Sequence, residues 1–232
     1  LWFKQNFRMN ESVELSELAT GIKYNKELNP ALWDGDVLRD DVKAALQKIA
    51  LRFVKFIDVE QLNIVDVIIT GSNCAFNYSE FSDIDLHIIV DSSDLGDNPL
   101  TQPFLIAKKS LWNSGHDITI HGFDVELYAE DLRNDADKLV ATGIYSLGKE
   151  KWLKKPTYEQ VTIDDLAVQA KAQFILAQID DIIETQGTDV DDIDRLWDHL
   201  KKMRKAGLST GGEFSVENLA FKAVRNNGGL ER

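Results

Sequence analysis

The stretch Thr70-Gly71-Ser72, ten intervening residues, then Asp83-Ile84-Asp85-Leu86 constrains this chain more than any other. Ile64 to Thr70 is short, β-branched and almost continuously apolar, the pattern of a strand covered on both faces. A Gly-Ser turn at the end of such a strand offers backbone N–H groups and a hydroxyl to a phosphate. Ile84 to Val90 is a second apolar run. Side chains alternate along a strand, so Asp83 and Asp85, at i and i+2, share one face. Two carboxylates on a rigid strand, beside a phosphate-friendly turn, are the ingredients of a two-metal phosphoryl or nucleotidyl transfer site.

Such a site needs a third carboxylate on an adjacent strand. Ile118 to Tyr128 reads as a third strand, with Gly122 as a bulge or bend. Within it, Phe123-Asp124-Val125-Glu126-Leu127-Tyr128 places Asp124 and Glu126 on one face, and alternation leaves either as the third acid. Three carboxylates can hold two Mg²⁺ ions roughly 3.5–4 Å apart. The third normally contacts one ion and is the natural general base. His87 alternates onto the carboxylate face, either near the metal site or as a hydrogen-bonded core histidine, the second being favoured. The four histidines lack zinc spacing.

At these residues the chain resembles the DNA polymerase β-like nucleotidyltransferase superfamily. That pattern is a hydrophobic residue, Gly-Ser, a short spacer, Asp-x-Asp, and a later acid between hydrophobics. Gly71-Ser72 and Asp83-x-Asp85 match, with Ser82 ahead of the first Asp, while Thr70 departs mildly at the first position. The resemblance covers residues 60–130. It implies a small mixed sheet with helices, a nucleoside triphosphate donor such as ATP, and Mg²⁺ or Mn²⁺ as cofactor. Asp83 and Asp85 would ligate both metals, Gly71 and Ser72 would hold the β- and γ-phosphates, and Asp124 or Glu126 would complete the metal set. The Val-Glu-Leu-Tyr run is similar to that of nucleotidyltransferase-like proteins of tailed bacteriophages, and this likeness favours Glu126. The likeness extends to Ser82 to His87, Lys108-Lys109 with Trp112-Asn113, Gly143 to Ser146, and Gly212 to Arg225.

The rest of the chain reads as mostly helical. Leu38, Val42, Ala45, Leu46, Ile49, Phe53 and Phe56 recur at helical spacing, and Pro103 to Trp112 reads as a second helix. Beyond Pro156 one stripe is Ile163, Leu166, Ala170, Phe174, Ala177 and Ile182, ending near Gly187. Another is Ile193, Leu196, Trp197, Leu200 and Met203, ending near Gly207. A last helix follows the N-cap residue Ser215 and stops at Asn227-Gly228-Gly229. The expected fold is α+β: a helical region over 1–59 packing on the core, a nucleotidyltransferase core over 60–156, and a C-terminal helical domain over 157–232. In the last helix Asn218, Lys222 and Arg225 form a polar, cationic stripe. Set against the cleft, Lys222 and Arg225 would neutralise triphosphate charge; otherwise they are an exposed face. Lys108 and Lys109 carry the same two alternatives, with the exposed face favoured. Asp189 to Asp194 lacks the Gly and terminal Glu of a calcium loop and reads as helix capping.

Charge bears on the partner. The chain has 232 residues and a net charge of −13, which disfavours long polynucleotides, whose binding depends on Lys and Arg neutralising phosphates. Two basic clusters, Lys149, Lys151, Lys154 and Lys155, and Lys201, Lys202, Arg204 and Lys205, read as solvated faces. No run is long and apolar enough for a membrane span. A single cysteine, Cys74, excludes an intrachain disulfide and suits a reducing cytoplasm. The start, Leu1-Trp2-Phe3-Lys4, lacks an initiator Met and a signal-peptide core, as expected of a trimmed chain. The expected activity is transfer of a nucleoside monophosphate to an acceptor hydroxyl with release of pyrophosphate. A small molecule, a nucleotide or a protein is favoured as acceptor over long RNA. The rival readings are a catalytically silent nucleotide-binding or regulatory module on the same fold, and a partner or oligomer surface anchored by Trp152, Trp197 and Phe221.

Overall fold

The computed structural model describes residues 25–60, 62–95, 98–132, 142–158, 162–185 and 189–230. The part of the expected N-terminal region over 1–24, and the stop near Gly187, lie outside the described residues. Among the described residues no helix is long and apolar enough to cross a membrane. The described residues up to 158 form one compact unit and those from 162 onward another. The first is α+β, with a mixed six-stranded sheet, and the second is a packed group of helices.

In the first unit a small hairpin, β1 (Trp33–Asp34) and β2 (Val37–Leu38), precedes helix α1 (Asp40–Ile57). Strands β3 (Asn63–Thr70) and β4 (Ile84–Asp91) follow, then helix α2 (Thr101–Gly115). The chain continues through β5 (Thr119–Ile120), β6 (Phe123–Asp131), β7 (Ile144–Ser146) and β8 (Lys151–Lys154). The sheet order is β5-β6-β4-β3-β7-β8, and β4 pairs with β6 in parallel while the other pairs are antiparallel.

The alternation along β4 and β6 decides which face is covered. Leu86, Ile88 and Val90 of β4, with Val125, Leu127 and Ala129 of β6, are buried in one core with Val42, Leu46 and Phe53 of α1 and Leu105 and Trp112 of α2. Burying such aliphatic side chains stabilises by about 1.5–3 kcal/mol each. The intervening residues Asp85, His87, Glu126, Tyr128 and Glu130 are only partly buried, on the opposite face. Polar side chains at those positions are compatible with the strands because that face is not part of the helix-covered core.

Helix α2 is fastened to the sheet by polar contacts as well. The Asn113 side-chain amide donates to Leu127 O at 3.0 Å, and its oxygen accepts from Leu127 N–H at 3.1 Å. One side chain thus satisfies both backbone groups of a β6 residue, where an unpaired edge would otherwise be exposed. Lys108 Nζ donates to Phe56 O at 2.7 Å and so caps the last turn of α1.

One expected element is different. The run Ile118 to Tyr128 is two strands, β5 and β6, which pair with each other around His121-Gly122. His121 and Gly122 have φ of 51° and 87°, the pair of positive values that a two-residue hairpin turn needs. Of the two alternatives for Gly122 the structure has the bend, a reversal of the chain, and not the bulge.

The second unit contains α3 (Asp165–Glu184), α4 (Val190–Gly211) and α5 (Val216–Asn226). Val168, Ala172, Ile175 and Ile179 of α3 pack with Leu200 of α4 and with Leu219, Ala220, Phe221, Ala223 and Val224 of α5. This corrects the expected stripe on α3: Leu166, Ala170, Phe174 and Ala177 are exposed. Both faces of α3 carry apolar residues, so spacing alone does not identify the one that faces the other helices. The caps follow expectation. Asp189 accepts from Asp192 N–H and Asp192 returns a bond to Asp189 N–H, a capping box, and Ser215 accepts from Asn218 N–H. Helix α4 does not stop near Gly207 but runs on to Gly211, with Gly207 buried inside it.

Candidate active site

Three neighbouring strands place the expected residues at one end of the face opposite the helix-covered core. Thr70, the last residue of β3, pairs across the antiparallel ladder with Asp85, and Asp85 pairs across the parallel ladder with Glu126. Asp83 stands just before β4, two residues from Asp85, and like it is half-buried. Glu126, two residues past Asp124, is half-buried beside Asp85, whereas Asp124 is exposed opposite Thr119 in the hairpin.

Between β3 and β4 the chain makes the turn that the Gly-Ser pair called for. Gly71 has φ of +81°, and a Cβ built on it would lie 1.9 Å from Asp85 Oδ2. The Asp85 carboxylate therefore occupies the space that only a glycine leaves open. Ser72 begins a short 3-10 turn, Ser72–Cys74, closed by Cys74 N–H to Gly71 O at 3.0 Å. The Ser72 hydroxyl donates to Ser82 Oγ at 2.8 Å, and Ser82 Oγ also accepts from Ser79 N–H at 2.9 Å.

Asn73 is the keystone of this turn. Its side-chain amide donates to Asp83 O at 2.9 Å, its side-chain oxygen accepts from Asn29 at 2.8 Å, and its carbonyl accepts from Trp33 Nε1 at 2.8 Å. Asn73 is buried, so these bonds also remove a desolvation penalty. They fix the backbone at Asp83 from below. Cys74 is buried in the same turn, consistent with a packing role.

Along the same face a row of side chains continues from the carboxylates. His87 stacks on Tyr128, with ring centroids 4.4 Å apart and planes 8° from parallel. His87 Nε2 and Thr70 Oγ1 are 3.2 Å apart, and His87 Nδ1 lies 3.3 Å from Glu130 Oε1. Both ring nitrogens of His87 thus have a polar partner within reach. Tyr128 is the most perturbed group here. Burial, and then the anionic Asp85, Glu126 and Asp83, push its phenol far above the ordinary value of 10.0. Glu126 Oε1 is met by Lys109 Nζ of α2 at 3.0 Å, and that ammonium lies 3.7 Å from the Tyr128 ring centroid. Lys109 is thus engaged with the carboxylate face, the second of its two expected alternatives, and Lys108, bonded to Phe56 O, is likewise not an exposed cation.

Asp83, Asp85 and Glu126 offer hard oxygen donors of the kind Mg²⁺ or Mn²⁺ takes. By donor type alone these residues fit a divalent cation, and the Asp85 carboxylate is seated against Gly71. Among the described residues, however, no group of three His, Cys, Asp or Glu side chains stands close enough together to hold a metal ion. Gly71, Ser72, Asp83, Asp85 and Glu126 all belong to the first unit, and Lys222 and Arg225 are half-buried on α5 of the second. Asn218, expected on their polar stripe, is buried. It donates to Glu213 O at 2.7 Å and accepts from Arg204 Nε at 3.0 Å, so it ties α4 to α5.

Asn73, Tyr128 and Glu130 were not among the expected site residues. Tyr128 and Glu130 continue the i, i+2 alternation of Asp124 and Glu126, which is the signal that could have found them. Nothing in the sequence marks Asn73, whose role depends on a buried, non-local amide network. Comparison of the chain with protein-family models, with curated proteins and with solved structures gave no match.

Proposed function

We propose that this protein is a divalent-metal-dependent nucleotidyltransferase, which moves a nucleoside monophosphate from a nucleoside triphosphate to an acceptor hydroxyl. The observation that carries the reading is the Gly71–Asp85–Glu126 arrangement: a positive-φ glycine filled by one carboxylate, with a second carboxylate in register beside it. The acceptor oxygen attacks the α-phosphorus, the bond to the β-phosphate oxygen breaks, and pyrophosphate leaves with that electron pair. Asp83, Asp85 and Glu126 would hold Mg²⁺ or Mn²⁺, which when bound supplies Lewis-acid stabilisation of the charge on the phosphates. Glu126, the carboxylate at the edge of the group, takes the acceptor's proton. The Ser72 hydroxyl exchanges its bond to Ser82 for a phosphate oxygen, alongside the N–H groups of the turn. A rigid turn already held by Asn73 lowers the ordering cost of that contact.

The test is pyrophosphate release by the purified chain with Mg²⁺ or Mn²⁺, a panel of nucleoside triphosphates, and small-molecule, nucleotide and protein acceptors. Asp83→Asn and Asp85→Asn should each lose roughly 10²-fold or more of the rate while melting as the parent does. Absence of pyrophosphate with every donor and acceptor sinks the reading. A second reading, a nucleotide-binding module without turnover, is favoured by one observation: Glu126 is engaged by Lys109. Calorimetry that shows nucleotide and metal binding by a chain that releases no pyrophosphate would select it.

A further inference from the structure

Lys109 reaches the site from outside the strands that form it. Its ammonium lies 3.0 Å from Glu126 Oε1 and 3.7 Å from the Tyr128 ring centroid. This is no wandering side chain. One turn further along α2, Asn113 is bonded to both backbone groups of Leu127, the residue after Glu126. The preceding residue, Lys108, is bonded to Phe56 O. Residues 109 and 113 share a helix face, so the bonds that register α2 against β6 also aim Lys109 at Glu126.

The electrostatic reason for a cation there is the sign of the surrounding charge. Asp83, Asp85 and Glu126 are carboxylates at one end of one sheet face, Asp85 and Glu126 in register on neighbouring strands, and like charges repel. An ammonium at Glu126 relieves the repulsion while no other cation is present. It also accounts for Glu126 making an ion pair and not joining a ready-made metal group.

We propose that Lys109 is a built-in counter-cation: it neutralises Glu126 in the metal-free protein and competes with the divalent cation for that carboxylate. The inference rests on the reading of Glu126 as a metal ligand. Metal affinity is then set by a competition and not by the three carboxylates alone. Displacement does not strand the lysine, because its contact with the Tyr128 ring does not depend on Glu126. The pair is about one-third exposed, at 27% and 37% for the two side chains, so solvent screening keeps the competition modest.

The experiment is calorimetric titration of the full chain with Mn²⁺, without nucleotide, so that turnover plays no part. Lys109→Met should bind Mn²⁺ roughly three- to tenfold more tightly than the parent, and Lys109→Arg about as the parent does. In a Glu126→Gln background the lysine substitution should bring no gain, because the contested carboxylate is gone. Lys109→Gln takes the place of the methionine variant if the latter loses its cooperative melt. Affinity unchanged or weakened in Lys109→Met, with binding abolished in Asp85→Asn, overturns the proposal and leaves the site reading intact, Lys109 being then a brace for α2. Absence of Mn²⁺ binding in the parent and every variant overturns the site reading, and the proposal with it.

Discussion

Gly71 carries the sharpest constraint at the scale of single residues. A methyl group there would sit 1.9 Å from Asp85 Oδ2, on a backbone with φ of +81°. The carboxylate has to move, and the left-handed backbone is strained besides. Gly71→Ala should cost about 1–3 kcal/mol in urea denaturation, and its folded fraction should have lost pyrophosphate release because Asp85 is displaced. Tyr128 offers a test of the face's electrostatics. Its phenol is held above the ordinary value of 10.0 by burial first, then by Asp85, Glu126 and Asp83. The folded value exceeds the unfolded one, so the neutral phenol contributes stability that is fully present below pH 10 and is lost as pH rises beyond it. In an absorbance titration Tyr128 should be the last tyrosine to ionise, and Tyr128→Phe should flatten the alkaline arm of the stability curve. Tyr78 and Tyr145 are shifted in the same direction by burial, so the comparison with the parent, and not the raw curve, is the readout. An early-titrating Tyr128 would mean that the carboxylates do not surround it as described.

Secondary-structure elements differ in how plainly the sequence announces them. The carboxylate strands were legible because alternation is a purely local rule: Asp85 and Glu126 fall on one face whatever packs on the other. The β5–β6 hairpin was not, since Ile118 to Tyr128 keeps an apolar, β-branched character across His121-Gly122 and only the two positive φ values reveal the turn. Helix α3 misled for a different reason, with apolar residues at Leu166 and Phe174 on a face that is exposed and at Ile175 and Ile179 on the face that packs. Helix α4 shows why a glycine need not be a stop. A Cβ on Gly207 would lie 2.7 Å from Glu217 Cβ and 2.8 Å from Ser215 Oγ, so this glycine lets α4 approach the first turn of α5. Propensity and packing therefore oppose each other at this position. Alanine is better than glycine in a helix by about 1 kcal/mol, but an extra methyl in a tight contact costs about 1–3 kcal/mol. Packing should win, because a neighbouring Cβ is not free to swing aside, and Gly207→Ala should lower the melting temperature. A rise would place α4 and α5 further apart than described.

Over the whole molecule the question, for the proposed transfer reaction, is what kind of acceptor a chain of net charge −13 can receive. The two basic clusters are where a polynucleotide would have to bind, and part of their charge is already answered locally. Lys149 pairs with Asp66 at 3.2 Å and Lys155 pairs with Asp36. Lys201 approaches Asp198 at 3.9 Å, and Arg204 binds Asn218 and lies over the Phe221 ring. A phosphate backbone would have to break these contacts as well as overcome the long-range repulsion of an acidic chain, which extends about 8–10 Å at physiological ionic strength. Weak and nearly salt-independent binding to single-stranded RNA is therefore expected, with a dissociation constant no tighter than about 10⁻⁴ M near physiological salt. The check is a titration of labelled RNA between 50 and 200 mM salt, taken as roughly the range over which backbone contacts respond most. Six neutralised phosphates would give a slope of log K against log salt of about −4, and a slope that steep would overturn the argument from charge. A flat, weak response, together with pyrophosphate released on a small acceptor, would leave the carboxylate face serving a compact substrate, with the acidic surface keeping longer strands away.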